Sequence, residues 1–162
     1  HRGYFMESYN QQLLEDHGIK YNFVQDNQSK SSYGVLRGLH FQNPPHAQTK
    51  LIRAIAGNIL DVVIDIRKSS ETYGKHFSLE LSADNKKQLL VPKGFAHGFV
   101  VLSNTAEILY KCDAFYNKES EGGLMFDDMA FGIDWKISHD KILLSEKDKA
   151  YAPFESFNSQ FD

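Results

Sequence analysis

Four groups of polar residues in this chain sit inside or beside stretches that read as β-strands, where the inner wall of a small barrel would carry them. Arg37-Gly-Leu-His-Phe-Gln42 is the first, and strand alternation puts His40 and Gln42 on one face. Gln48-Thr-Lys50 opens the next strand. Pro92-Lys-Gly-Phe-Ala-His-Gly98 is the third, and Tyr110, in an otherwise apolar strand with Tyr116 beyond it, is the fourth. An imidazole that titrates near neutral pH can move protons or ligate a metal. A lysine supplies a fixed positive charge, and a phenol supplies a proton. Asp61, between Leu60 and Val62, needs a partner if it is buried.

Taken singly, each has a plainer role. A strand histidine is commonly structural, a lysine at a strand start is commonly solvated, and a core tyrosine needs only a partner for its hydroxyl. His97 could equally be a structural histidine in a turn. The metal alternative can be weighed directly. Pro92-x-Gly94-x-x-His97 resembles the second half-motif of cupins, small barrels that often bind metal. The first half-motif has two histidines one residue apart, and here that stretch is His40-Phe41-Gln42. A catalytic metal site generally takes three protein ligands, so the expectation is a cupin-like barrel with no metal in its lumen.

The elements that must position these groups are mostly strands. Lys50–Ala56, Ile59–Ile66, Phe77–Leu81, Gln88–Val91, Phe99–Leu102 and Glu107–Cys112 are short apolar or alternating runs between turn signals. Such a series predicts an antiparallel sandwich or barrel. Gly57-Asn58 reads as a hairpin turn, and Pro92-Lys93-Gly94 as another turn. One early helix is expected, capped by Ser8, carrying Leu13 and Leu14, and ending at His17-Gly18. A short helix at 145–149 should pack on the barrel, and the residues from Phe154 onward are expected to be loose.

With 162 residues, 41% hydrophobic, the chain suits one domain spanning 1–162. A net charge of -3 gives no basic excess for nucleic acid. The single cysteine, Cys112, rules out an intrachain disulfide and a multi-cysteine zinc site, fits a reducing cytoplasm, and reads as an inert packed thiol. No apolar stretch approaches the roughly 18 residues of a membrane span.

In order along the chain, Arg2-Gly-Tyr-Phe5-Met-Glu7, Phe23-Val-Gln25-Asp-Asn27, Arg37-Gly-Leu-His40-Phe-Gln42, Gln48-Thr-Lys50, Asp61-Val-Val-Ile-Asp-Ile-Arg67, Gln88-Leu-Leu-Val-Pro-Lys-Gly-Phe-Ala-His-Gly-Phe99, Tyr110-Lys111 and Ser145-Glu-Lys-Asp148 resemble the signature of the dTDP-4-dehydrorhamnose 3,5-epimerases. The resemblance implies an all-β, cupin-type double-stranded β-helix (jelly roll) with a few short peripheral helices, a homodimer, no cofactor and no metal. It also implies inversion of C3 and C5 of a 4-keto-6-deoxy sugar carried on dTDP, in a route to rhamnose for cell-surface polysaccharide. By the same resemblance His40 is the base and Asp148 its dyad carboxylate. Lys50 is the cation beside the developing oxyanion, and Tyr110 is the acid on the opposite face. Asp61 pairs with Lys50 or fixes a neighbour, and His97 hydrogen-bonds the sugar. Arg37 and Arg2 match pyrophosphate contacts. Phe5, Glu7, Gln25, Asn27, Tyr116 and Glu121 match positions around base, ribose and phosphates, with Arg2 and Glu7 acting across the dimer. Lys147 is either a further phosphate contact or a solvated lysine. Inversion at C5 or C3 alone, another nucleotide 4-keto sugar, and a non-catalytic sugar-binding cupin remain the alternatives.

Overall fold

The computed structural model describes residues 1–162. Nine strands form two antiparallel sheets: β1 (Gln25–Ser32), β2 (Leu36–Gln42), β3 (Lys50–Ala56), β4 (Asn58–Asp65), β5 (His76–Ser82), β6 (Gln88–Val91), β7 (Phe95–Val101), β8 (Thr105–Cys112) and β9 (Glu121–Gly123). The first sheet has the order β1-β8-β3-β6, and the second β5-β4-β7-β2-β9. The only α-helices are short, α1 (Gln11–Asp16) and α2 (Glu146–Lys149). The all-β jelly roll with small peripheral helices is therefore what the chain adopts.

Strand alternation divides the core in two. Between the sheets, Ile52, Ala54, Ile59, Val63, Leu81, Phe99, Val101, Ala106 and Ile108 pack as one cluster. Towards one end the same strands turn polar: Ile52 gives way to Lys50 on β3, Phe99 to His97 on β7, and Ile108 to Tyr110 on β8. The outer face of the second sheet is buried as well. Leu36, Leu39, Leu60, Val62, Ile64 and Val100 lie under Leu124, Phe126, Phe131, Trp135 and Phe161. Burial on both faces explains why β4 reads as an almost unbroken apolar run.

Three local expectations are corrected. Asn10, not Ser8, caps α1, with its side-chain oxygen accepting from Leu13 N–H at 3.1 Å. Gly57-Asn58 is not a hairpin turn: β3 pairs with β6 and β8, whereas β4 pairs with β5 and β7, so this step carries the chain from one sheet to the other. Gly57 has φ +71, and a Cβ there would come within 2.1 Å of the Thr105 carbonyl oxygen, so only glycine fits the corner. The tail from Phe154 is not loose. Phe154 packs on Phe131 with ring centroids 4.9 Å apart, Ser159 donates to the Ile66 carbonyl, and Phe161 is only 9% exposed. The tail is apolar at every third or fourth position because it closes the outer core.

A register shift in the second sheet matters most for function. Arg37 lies opposite Phe99 on β7 and His40 opposite His97, so three steps on β2 match two on β7. The extra residue is a β-bulge, which resets the alternation. Arg37 and His40 would otherwise face opposite ways, yet both line the lumen. Gly38 and Gly98 make the bulge possible. A Cβ on Gly38 would sit 2.5 Å from Gly98 Cα, and Gly38 has φ +127.

Phe161→Ala should lower stability by about 2–4 kcal/mol, since it empties a packed aromatic site. Chemical denaturation measures this; a loss within about 0.5 kcal/mol, typical of a surface change, would mean that the tail does not seal the core.

Candidate active site

The polar end of the lumen holds two adjoining cavities, about 140 Å³ and about 230 Å³, and His40, Lys50 and Tyr110 line both. These three side chains come from opposing walls: His40 from β2 in the second sheet, Lys50 and Tyr110 from β3 and β8 in the first. A larger groove of about 440 Å³ lies elsewhere, under Phe126, Trp135 and Ile142. It holds no lysine or tyrosine, and its one histidine, His139, is solvent-exposed and paired with Asp127.

His40 Nε2–H donates to Asp148 Oδ1 at 2.5 Å, across 108 positions of sequence. Asp148 is buried on α2, whose N-cap is Ser145, and its own N–H donates to Ser145 Oγ at 3.2 Å. Burial works against the Asp148 charge, but the His40 hydrogen bond and charge, the Ser145 contact and Lys147 outweigh it and hold the carboxyl below the usual range. With Nε2 committed to the carboxylate, His40 Nδ1 is the nitrogen left with a free lone pair.

His97 lies within β7 rather than in a turn. Its Nε2–H is shared by both oxygens of Asp61 at 2.9 and 3.0 Å, and Asp61 is fully buried. Of the two roles expected for Asp61, the one observed is to fix a neighbour; Lys50 feels it only as a more distant charge. Burial pushes the Lys50 ammonium down from its ordinary pKa, against the opposing influence of Cys112, Asp61 and Glu121. No hydrogen bond ties it down. Burial likewise pushes the Tyr110 phenol up, so it stays protonated well above neutral pH.

Arg37 donates from Nε to Ser31 Oγ at 3.1 Å, across the two sheets, which leaves its two terminal nitrogens for a ligand. At the mouth, Gln25 donates to Asn27 at 3.0 Å and accepts the Tyr116 N–H at 3.1 Å. Glu121 accepts from Tyr116 at 3.3 Å and pairs with Lys147 at 2.6 Å. Lys147 is thus a partnered residue at the rim, not a freely solvated one. Cys112 is a buried thiol that accepts from Asn27 at 3.7 Å, and burial pushes its pKa up, as suits a packing role.

Arg2, Phe5 and Glu7 do not join this cavity. The N-terminal segment runs over the outer face of the first sheet, where Gln88 donates to the Ser8 carbonyl at 2.9 Å and Lys111 stands 4.6 Å from the Tyr9 ring, and Phe5 is 98% exposed. Sequence reasoning named Gln42 and Gln48 without giving either a role, and passed over Ser29 and Ser31. Gln42 donates to the His46 carbonyl at 2.6 Å and accepts the Asn117 N–H at 2.8 Å, and Gln48 holds the Ala114 carbonyl at 2.7 Å, so the two brace the loop carrying Tyr116. Ser29 and Ser31 continue the inward face of β1 begun by Gln25 and Asn27, and that polar alternation was their signal.

The arrangement suits proton transfer beside a carbonyl: a base with an orienting carboxylate, an acid on the far wall, and a desolvated cation lining the same space. It does not assemble a metal site, since no three His, Cys, Asp or Glu side chains stand close enough to share an ion.

The family model described as dTDP-4-dehydrorhamnose 3,5-epimerase matches residues 1–156. The chain is 53% identical to the dTDP-4-dehydrorhamnose 3,5-epimerase of Shigella flexneri, over 91% of this chain and 81% of that protein. Among solved structures, the dTDP-4-dehydrorhamnose 3,5-epimerase of Elizabethkingia anophelis superposes with a TM-score of 0.90 at 57% identity, covering 95% and 85% of the two chains. The Legionella pneumophila dTDP-6-deoxy-D-glucose-3,5-epimerase, solved with dTDP-4-keto-L-rhamnose, superposes with a TM-score of 0.92 at 44% identity, covering 97% and 83%. With the family model matched from residue 1 to residue 156 and a relative 53% identical over 91% of the chain, the chain belongs to the dTDP-4-dehydrorhamnose 3,5-epimerase family.

Proposed function

We propose that the chain converts dTDP-4-dehydro-6-deoxy-D-glucose to dTDP-4-dehydro-L-rhamnose by inverting C3 and C5, with His40 as base, Tyr110 as acid and Lys50 as the oxyanion partner. C3 and C5 both flank the C4 ketone, so removing a proton from either gives an enolate with its charge on the C4 oxygen. Reprotonation from the opposite face inverts the centre. The observation that carries this assignment is that His40 and Tyr110 project from opposing sheets into shared space, with Lys50 lining it as well.

His40 Nδ1 takes the proton, while Asp148 holds the ring and balances the imidazolium that forms. The Lys50 ammonium, partly withdrawn from water and without a partner, meets the enolate charge where fixed charge acts strongly. Tyr110 returns a proton from the far wall. His97, its Nε2–H held by Asp61, accepts from a sugar hydroxyl at Nδ1. Arg37 takes the diphosphate, and Gln25, Asn27, Tyr116 and Glu121 take the nucleoside end at the mouth. The enzyme acts as a cytoplasmic homodimer in rhamnose supply for cell-surface polysaccharide. Arg2, Phe5 and Glu7 then serve the neighbouring protomer's cavity, which fits their absence from their own.

Supplied with dTDP-4-keto-6-deoxyglucose and a rhamnose-forming reductase, the protein should drive NADPH oxidation, and proton NMR in deuterated buffer should show label at both C3 and C5. His40→Ala should abolish that label; exchange at the wild-type rate would remove His40 as the base, and label at one carbon only would reduce the activity to a single inversion.

Tyr110→Phe should slow inversion more than it slows the first exchange, because deprotonation needs only the base. Equal losses in both rates would contradict the division of labour.

Lys50→Met should cost about 100- to 1,000-fold in kcat, the range for losing one oxyanion partner. Because the Lys50 pKa is lowered, its ammonium is lost earlier on the alkaline side than that of a free lysine, and kcat falls as pH rises through that value. Lys50→Arg, with a guanidinium that stays charged, should move the alkaline limb of kcat to higher pH; an unmoved limb would assign it to the Tyr110 phenol instead.

A further inference from the structure

Tyr151 lies just beyond α2, three residues after Asp148, and does not line the cavity. Its ring nevertheless meets the imidazole of His40 edge-on, with centroids 5.8 Å apart and planes at 66°. The other side of the contact is equally specific. The ring lies directly over Gly123 of β9, where a Cβ would come within 2.2 Å of its Cζ. Gly123 is in turn the register partner of His40. Next along β9, Gly122 is covered by the Phe41 ring, 2.5 Å from where a Cβ would be. The two glycines therefore give β9 a bare surface on each side, with one aromatic ring seated on each. One of those rings bears on the base.

An imidazole held only by one hydrogen bond can still swing about the Cβ–Cγ bond. His40 has the Asp148 carboxylate at one nitrogen and open lumen at the other, so the edge of a packed ring is what limits that swing. The same ring anchors the C-terminal end of α2, the four-residue helix that carries Asp148. One side chain thus restrains both members of the dyad.

We propose that Tyr151 is a positioning residue for the reaction: its ring, seated on Gly123, holds the His40 imidazole against Asp148 with Nδ1 turned to the lumen. The ring is the working part, and the hydroxyl, which neighbours the Lys147 ammonium, is not. The inference rests on His40 being the base, and its first readout does not depend on turnover.

The experiment uses the full chain labelled with ¹⁵N at histidine, followed by long-range ¹H–¹⁵N correlation at pH 8. Wild type and Tyr151→Phe should both show His40 as a single Nε2–H tautomer. Tyr151→Leu should show averaged ring nitrogens and a kcat reduced on the order of 10- to 100-fold, the scale for a misplaced catalytic group, with KM changed less than twofold. Gly123→Ala, which displaces the ring while leaving Tyr151 itself unchanged, should reproduce the Tyr151→Leu spectrum. Circular dichroism identifies any variant that fails to fold, and the other then decides. A Tyr151→Leu protein that keeps the sharp single-tautomer pattern and its kcat would overturn the proposal. So would a Tyr151→Phe protein as impaired as Tyr151→Leu, since that would give the role to the hydroxyl. If the spectra change as expected but wild type turns over no keto sugar, the positioning role stands and the proposed function falls.

Discussion

A barrel lumen closed by side chains is a poor solvent for charge, and the active end of this protein is arranged around that fact. Apart from Lys50, each charged group brought inside is matched by another of opposite sign or by a hydrogen-bond partner. His40 has Asp148, His97 has Asp61, and Asp65, opposite Phe95 on β7, has Arg67, Ser70 and Thr72, whose contacts overcome its burial and hold its carboxyl well below the usual range. Lys50 stands apart. It sits among the same walls with only distant counter-charges, which leaves its ammonium available to an anion formed in the cavity.

That imbalance depends on backbone geometry more than on the choice of side chains. The bulge in β2 lets Arg37 and His40 share a face although three positions separate them, and the glycines at 38 and 98 allow β2 and β7 to come close enough for it. The outer core stiffens the same sheet from behind. Leu39 and Phe41, on either side of His40, are both buried in that second cluster, so the proposed base is carried by a strand packed on both faces.

Much of this was legible in the sequence, for identifiable reasons. The strands from Lys50 to Cys112 announced themselves because each is short, apolar and closed by a turn residue. His40, Lys50, Tyr110 and Asp148 could be singled out because their chemistry is out of place in such strands or matches a family pattern. What failed was whatever depends on distant partners. Gly57-Asn58 has the composition of a hairpin, but a corner between sheets needs the same positive φ, and local sequence does not distinguish the two. The tail looked loose because it carries only three aromatics among polar residues, Phe154, Phe157 and Phe161, and what they pack against lies far away in sequence. Arg37 would have been placed outside the lumen by alternation alone, because a bulge has no signature beyond a glycine.

The hydrogen bond between residues 40 and 148 also ties activity to the order in which the molecule assembles. A contact between residues so far apart along the chain closes only against the entropy of the intervening loop. A partly folded intermediate with both sheets complete but α2 undocked would keep the cavity, the lysine and the phenol, and yet hold a base without its orienting carboxylate. The proposed dyad is therefore complete only when α2 is docked, whether or not the barrel has formed.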